Sequence, residues 1–181
     1  MIRAAVAALA LTLFPIAAHG QDMVRLGKDD IREILTGYHD VPSANYWARL
    51  EPESARGALM ELSSDPGELV HIRTRATLAL ANFSDSRVEQ YLLATIGRED
   101  REYVRAAAVT AYSRAAGEAA LGELEKAMVD KDSLVQRAAI KSLGAMGGER
   151  SRGILEKSLE TEKNPATRDL LKKSLAKASR R

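Results

Sequence analysis

Few side chains in this chain are of the kinds that make and break bonds. Beyond residue 20 the histidines are His39 and His71, and there is no cysteine anywhere. A zinc site draws on His and Cys at close, regular spacings such as His-Glu-x-x-His, and neither histidine stands in one. No Gly-x-Ser-x-Gly turn holds a strained nucleophile, and no Gly-x-x-x-x-Gly-Lys loop is present to cradle a phosphate. The expectation is a chain with no catalytic residue, no cofactor and no metal. What recurs instead is positive charge: Arg73, Arg75, Arg105, Arg137 and Lys141. Such groups pair with carboxylates, so their chemistry is recognition or internal bracing. Tyr46 and Trp47, with Tyr38 upstream, are the other candidates, because aromatic side chains often anchor protein contacts.

The elements that position these residues repeat. "VRAAAVTAYSRAAG" at 104–117 lies over "VQRAAIKSLGAMGG" at 135–148 without a gap, so that Val104 meets Val135, Ala108 meets Ala139, Tyr112 meets Leu143 and Gly117 meets Gly148. The offset is 31; copies 32 residues away on either side begin at Ile72 and Thr167. A period in the thirties points to a helical solenoid. Each copy follows a second amphipathic pattern: Ala58-Leu59 and Leu62; Val88, Leu92-Leu93 and Ile96; Leu121, Leu124 and Met128; Ile154-Leu155 and Leu159. Spacings of three and four put an apolar stripe on one side of a helix, so the unit is a two-helix hairpin.

The punctuation agrees. Asp65-Pro66-Gly67 reads as a turn, and Asn164-Pro165 as an N-cap followed by proline in the first helical position. Ser84 and Ser133 are placed to cap helices, and Gly117 and Gly147-Gly148 to end them in the left-handed region. One buried leucine contributes roughly 2 kcal/mol, too little to order a hairpin of thirty-odd residues alone, so the hairpins must stack. The fold expected is all-α: a right-handed superhelix, an α-solenoid of about four hairpins over residues 52–181. Residues 21–51 lie outside the repeat and read as a helical cap, with "DDIREIL" ending at Gly37 and the chain restarting at Pro42-Ser43.

Residues 1–20 differ from the rest. Arg3 precedes an uncharged, mostly apolar run of 15 residues from Ala4 to Ala18, and Ala18-His19-Gly20 supplies small residues at the positions a signal peptidase reads. That run is shorter than the roughly 20 residues that span a bilayer, so a cleaved secretory signal is expected, with no stable membrane insertion afterwards. The Ala- and Arg-rich style suggests a bacterium, and the location expected is periplasmic or secreted. Without Arg3 the chain holds 26 basic and 25 acidic residues, a balance that gives no support to a global nucleic-acid or membrane-surface role. Residues 163–181 are a local exception, with seven basic residues against Asp169 alone, but they hold no aromatic residue on which a base could stack.

The pattern Asp-x-x-x-Val-Arg-x-Ala-Ala, followed by an apolar residue and a glycine, resembles the HEAT-like repeats of the armadillo/HEAT superfamily, in particular the short phycobilisome-lyase form. It runs over about residues 52–179 and is clearest in Asp100–Gly117 and Asp132–Gly148. Gln136 replaces the arginine in the third copy, and Leu170-Leu171 replaces the alanine pair in the fourth. The resemblance implies that the arginine after the valine pairs with an aspartate of its own or a neighbouring repeat: Arg105 with Asp100 or Asp132, Arg73 with Asp65 or Asp85. It also implies that the second helices line a concave face, which Arg73, Arg75, Arg105, Arg137 and Lys141 would make attractive to an acidic protein. The function expected is a non-enzymatic scaffold that binds another protein. The alternatives are a lyase-like enzyme or accessory subunit acting on a chromophore or modified protein, and a module that self-associates through its end repeats.

Overall fold

Alanine-rich stretches with a leucine every three or four residues fold as helices throughout the computed structural model, which describes residues 23–37 and 42–180. The leader at 1–20, Tyr38 and His39 lie outside the described residues. The chain begins with α1 (Lys28–Thr36) and the single turn α2 (Ala44–Trp47). Four hairpins follow: α3 (Pro52–Ser64) with α4 (Val70–Ala79), α5 (Ser86–Arg98) with α6 (Glu102–Ala115), α7 (Leu121–Ala127) with α8 (Ser133–Met146), and α9 (Gly148–Thr161) with α10 (Pro165–Ala178). This is the α-solenoid expected from the period.

The second helices α4, α6, α8 and α10 pack on one another in sequence, while each first helix packs mainly on a second helix rather than on the neighbouring first helix. The second helices thus form one continuous layer of the stack. Small residues permit that packing. α6 is buried from Val104 to Val109, because α4, α5 and α8 all press on it, and five of those six residues are alanine or valine without polar side-chain atoms to satisfy. Leu59, Leu62, Leu92, Leu124, Ile140, Leu143 and Leu155 fill the space between, each with under 2% of its surface exposed.

The tightest approach is at Gly144, where a Cβ would lie 2.8 Å from Ser174 Cβ and 2.9 Å from its Cα and carbonyl oxygen. Two of these obstacles are backbone, which cannot swing aside. Gly144→Ala should therefore lower the thermal midpoint: overpacking costs about 1–3 kcal/mol, against the ~1 kcal/mol that alanine gains over glycine in a helix interior. Calorimetry that showed a raised midpoint would remove this contact as the determinant of α8–α10 spacing.

Helix ends follow the expected chemistry with two shifts. Asn164 accepts from the amides of Ala166 and Thr167, with Pro165 opening α10, and Gly117, Gly147 and Gly148 have φ of 55°, 74° and 79°. The serines do not cap; Asp85 does, its carboxylate accepting from Arg87 and Val88. A carboxylate is the stronger acceptor at a positive helix end. Ser133 likewise lies just inside α8, after Asp132.

Burial pushes the Asp85 carboxyl up, but the Val88 amide and the Arg56 guanidinium outweigh it and hold the group below the ordinary aspartate value. Asp65 is also held low, by the Gly67 amide first and then by Lys28. A carboxyl depressed in the folded state stabilises fully above its unfolded pKa, and that stability disappears as pH falls through the folded value. Thermal midpoints should thus be flat from about pH 7 to 5 and fall below about pH 4, with a shallower fall in Asp85→Asn.

Before the first hairpin, Val24 forms an isolated bridge with Leu50, and α1 packs on α3 and α4. Trp47 is 1% exposed, its indole N–H donating to the Pro42 carbonyl at 3.1 Å and its ring set edge-on against Phe83 at 6.2 Å between centroids. It belongs to the core, which corrects the expectation of an exposed aromatic anchor there. Tyr46 is half-buried and packs edge-on against Trp47.

Candidate binding groove on the second helices

The arginines near the starts of the second helices divide into two populations. Arg73 and Arg105 are 6% and 4% exposed, so they do not line an open face. Arg73 donates through Nε to the Ser63 carbonyl at 2.9 Å and through Nη2 to the Glu99 carboxylate. Arg105 donates to the carbonyls of Glu99 and Asp100 at 2.8 and 3.1 Å, and through Nη2 to the carboxylates of Asp130 and Asp132. Arg105 reaches Asp132 as expected, but takes only the backbone of Asp100. Arg73 uses neither Asp65 nor Asp85; its partner is Glu99 of the next hairpin, while Asp65 binds Lys28 and Asp85 binds Arg56.

The pattern is a ladder with one rule. The turn inside each hairpin is held through its carbonyls by that hairpin's own second helix, and through its carboxylates by the preceding hairpin. The turn at 99–101 takes Arg105 on its carbonyls and Arg73 on Glu99. Ahead of the first hairpin α1 supplies the missing predecessor, with Lys28 binding Asp65 at 3.2 Å and Arg32 forking onto Glu68 at 2.6 and 3.2 Å. At the third copy Gln136 still holds the Asp130 carbonyl at 2.6 Å, but its short amide has no bond to the final turn, which Arg168 holds alone through the carbonyls of Leu159 and Glu162.

The open face is elsewhere. A groove of about 840 Å³ runs across α4, α6, α8 and α10. Arg137 and Lys141 stand on its α8 wall, joined by Arg114 from α6 and Lys177 from α10; no carboxylate lines it. Among the described residues none of these four cations has a hydrogen-bond or ion-pair partner. Arg75 lies at the margin and is partly engaged, donating to the carbonyls of Leu35 and Gly37 at 2.6 and 2.8 Å, which ties α1 to α4. Next to the groove is a second hollow of about 480 Å³, walled by Leu69, Val70, His71, Thr74, Arg75 and Tyr103.

Of the residues singled out from the sequence, Arg137 and Lys141 come together on this face, Arg75 borders it, and Arg73, Arg105, Tyr46 and Trp47 are used internally. Tyr103, Arg114 and Lys177 were not anticipated. A signal for them exists: 103, 106, 107, 110 and 114 form a second helical stripe, matched at 134, 137, 138, 141 and 145, on the side away from the leucine stripe. Small residues dominate it, so it does not stand out by hydropathy. No group of three or more His, Cys, Asp or Glu residues among the described residues is arranged to hold a metal ion, and no helix there is long and apolar enough to cross a membrane.

Stacked helical hairpins whose second helices form one continuous layer, with an internal charge ladder, define a solenoid repeat protein. Residues 98–176, from the end of α5 nearly to the end of α10, match the family model for HEAT repeats. Over those residues the chain is similar to HEAT repeats, and the match does not distinguish the phycobilisome-lyase form from other HEAT repeats. No curated protein matches the sequence.

Proposed function

We propose that the chain is an exported, non-enzymatic scaffold that holds an acid-surfaced protein in the groove of its second helices. HEAT repeats commonly mediate protein–protein contacts. The observation that carries the reading for this chain is the set of four unpartnered cations in a groove without a carboxylate. Elsewhere Lys28, Arg32, Arg56, Arg73 and Arg105 are all neutralised internally, so the groove keeps charge that the fold itself does not use. Cations alone do not supply the opposed acid and base of a catalytic site, and they favour binding over the lyase-like alternative. Residues 21–51 serve as the cap and 52–181 as the binding domain. The composition of residues 1–20 supports export to the periplasm or beyond.

A photo-crosslinking side chain at Lys141 in the producing cell should trap a protein that the same group at Leu93, exposed on α5, does not. Arg137→Glu should abolish the adduct while moving stability by less than about 0.5 kcal/mol, since Arg137 is exposed and unpaired. Equal trapping from both faces would overturn the groove as the binding surface. Export is checked by the mass of the processed chain, which should begin at Gln21; a cytosolic chain retaining its leader would overturn it.

A further inference from the structure

The groove and the apolar hollow beside it share Thr74 and Tyr103, so a single occupant can fill both. Their chemistries differ. The hollow leaves Leu69 and Tyr103 54% and 56% exposed, large apolar surface with nothing covering it. The groove carries the cations. Two of them, Arg114 and Lys177, stand in the last turns of their helices, where the helix dipole favours positive charge. Arg137 does not: it lies in the second turn of α8, near the positive end, with no internal carboxylate to compensate. Its placement, with Lys141 one turn further on, is unfavourable for the isolated chain and favourable once an anion is present.

The groove floor sets the form of the occupant. Three of its hydroxyls are turned back on their own helices, Thr74 to the Val70 carbonyl, Thr110 to Ala106 and Ser113 to Thr110. Between them the floor is largely alanine. An extended segment would find few acceptors there for its peptide N–H groups, since no carboxylate lines the groove, and each buried unpaired group costs about 1–3 kcal/mol. A helix satisfies its own backbone and needs only side-chain contacts from the groove.

We propose, resting on the scaffold reading above, that the occupant is an amphipathic acidic α-helix of the partner, with an apolar anchor in the Leu69–Tyr103 hollow and carboxylates on Arg137 and Lys141. Neighbouring second helices lie about 8–10 Å apart, so the hollow between α4 and α6 is about 15 Å from α8. At 1.5 Å per residue that is roughly ten residues of helix, or about three turns between anchor and acids.

The test is a titration of the purified chain into a labelled, helix-forming peptide of about 20 residues, with a Leu-Phe anchor and three glutamates placed three turns on, followed by fluorescence anisotropy and circular dichroism. Three further probes are a peptide with the glutamates moved beside the anchor, one with a central proline, and a single-stranded oligonucleotide of equal charge. The spaced peptide should bind and gain helicity, and Arg137→Glu/Lys141→Glu and Tyr103→Ala should each weaken it at least ~10-fold with unchanged melts. Equal binding of the proline or misplaced-acid peptide, or tighter binding of the oligonucleotide, overturns the acidic helix. If the spaced peptide fails while Lys141 crosslinking still traps a protein, this inference falls and the scaffold stands; if both fail, both fall.

Discussion

Leu143→Arg is expected to leave the chain without a cooperative thermal transition at neutral pH. Leu143 is fully buried in α8, the helix on which α6, α7, α9 and α10 all pack. Arginine there removes a well-filled apolar volume and places a guanidinium where no carboxylate can reach it, so its charge is buried unpaired or its helix is expelled. A cost of at least about 5 kcal/mol is comparable to the whole stability of a small domain, which runs to about 5–15 kcal/mol. Because each hairpin is stable only through its neighbours, loss of α8 also strips support from α6 and α10. Circular dichroism should show reduced helicity and a broad, shallow melt. A sharp transition at the parental midpoint would mean that the hairpins fold independently and that stacking is not the source of stability.

The second large effect is expected at Arg105. It is one of the few buried charges, and its guanidinium serves two turns at once: the carbonyls of Glu99 and Asp100, and the carboxylates of Asp130 and Asp132. Arg105→Ala removes the guanidinium from all four acceptors at the junction of the second and third hairpins, leaving Asp130 only the Asp132 amide, and for a pair buried on the arginine side a cost of about 3 kcal/mol is expected. Urea unfolding should show a lower midpoint, and hydrogen exchange should show the loss concentrated in the turns at 99–101 and 130–132 rather than at α1 or α10. Arg137→Ala, in the next hairpin, is the internal comparison, since its exposed and unpaired side chain should move the midpoint by under about 0.5 kcal/mol. If the two arginines proved equivalent, the ladder would be a decoration of the fold and not part of its framework.

The sequence resolves these two arginines only partly. Val104-Arg105 followed by alanine marks position and period, Arg137 stands one place later in Val135-Gln136-Arg137, and both residues sit near the start of a recognisable second helix. Whether the guanidinium turns inward to a neighbour or outward to the groove depends on how far one hairpin is rotated on the next. That rotation arises from side-chain packing between helices far apart in the chain. For the same reason Arg73 finds Glu99, 26 residues on, and not the aspartates closer by in the sequence. Trp47 is a parallel case: its local sequence fits an exposed anchor or a cap, and packing against Phe83, 36 residues on, buries it.

By itself the sequence determined what depends on near neighbours. It determined the helices, through the spacing of leucine and alanine; their ends, through Asn164-Pro165 and the glycines at 117, 147 and 148; and the stacking of the hairpins, through a period too short for any unit to bury its own stripe. Tertiary structure alone decided the pairing of the ladder and the gathering of Arg114, Arg137, Lys141 and Lys177 on one groove. Those depend on distances between residues tens of positions apart, which no local pattern encodes. Arg114, Arg137, Lys141 and Lys177 line one groove because α6, α8 and α10 lie side by side there, and that juxtaposition is a property of the stack.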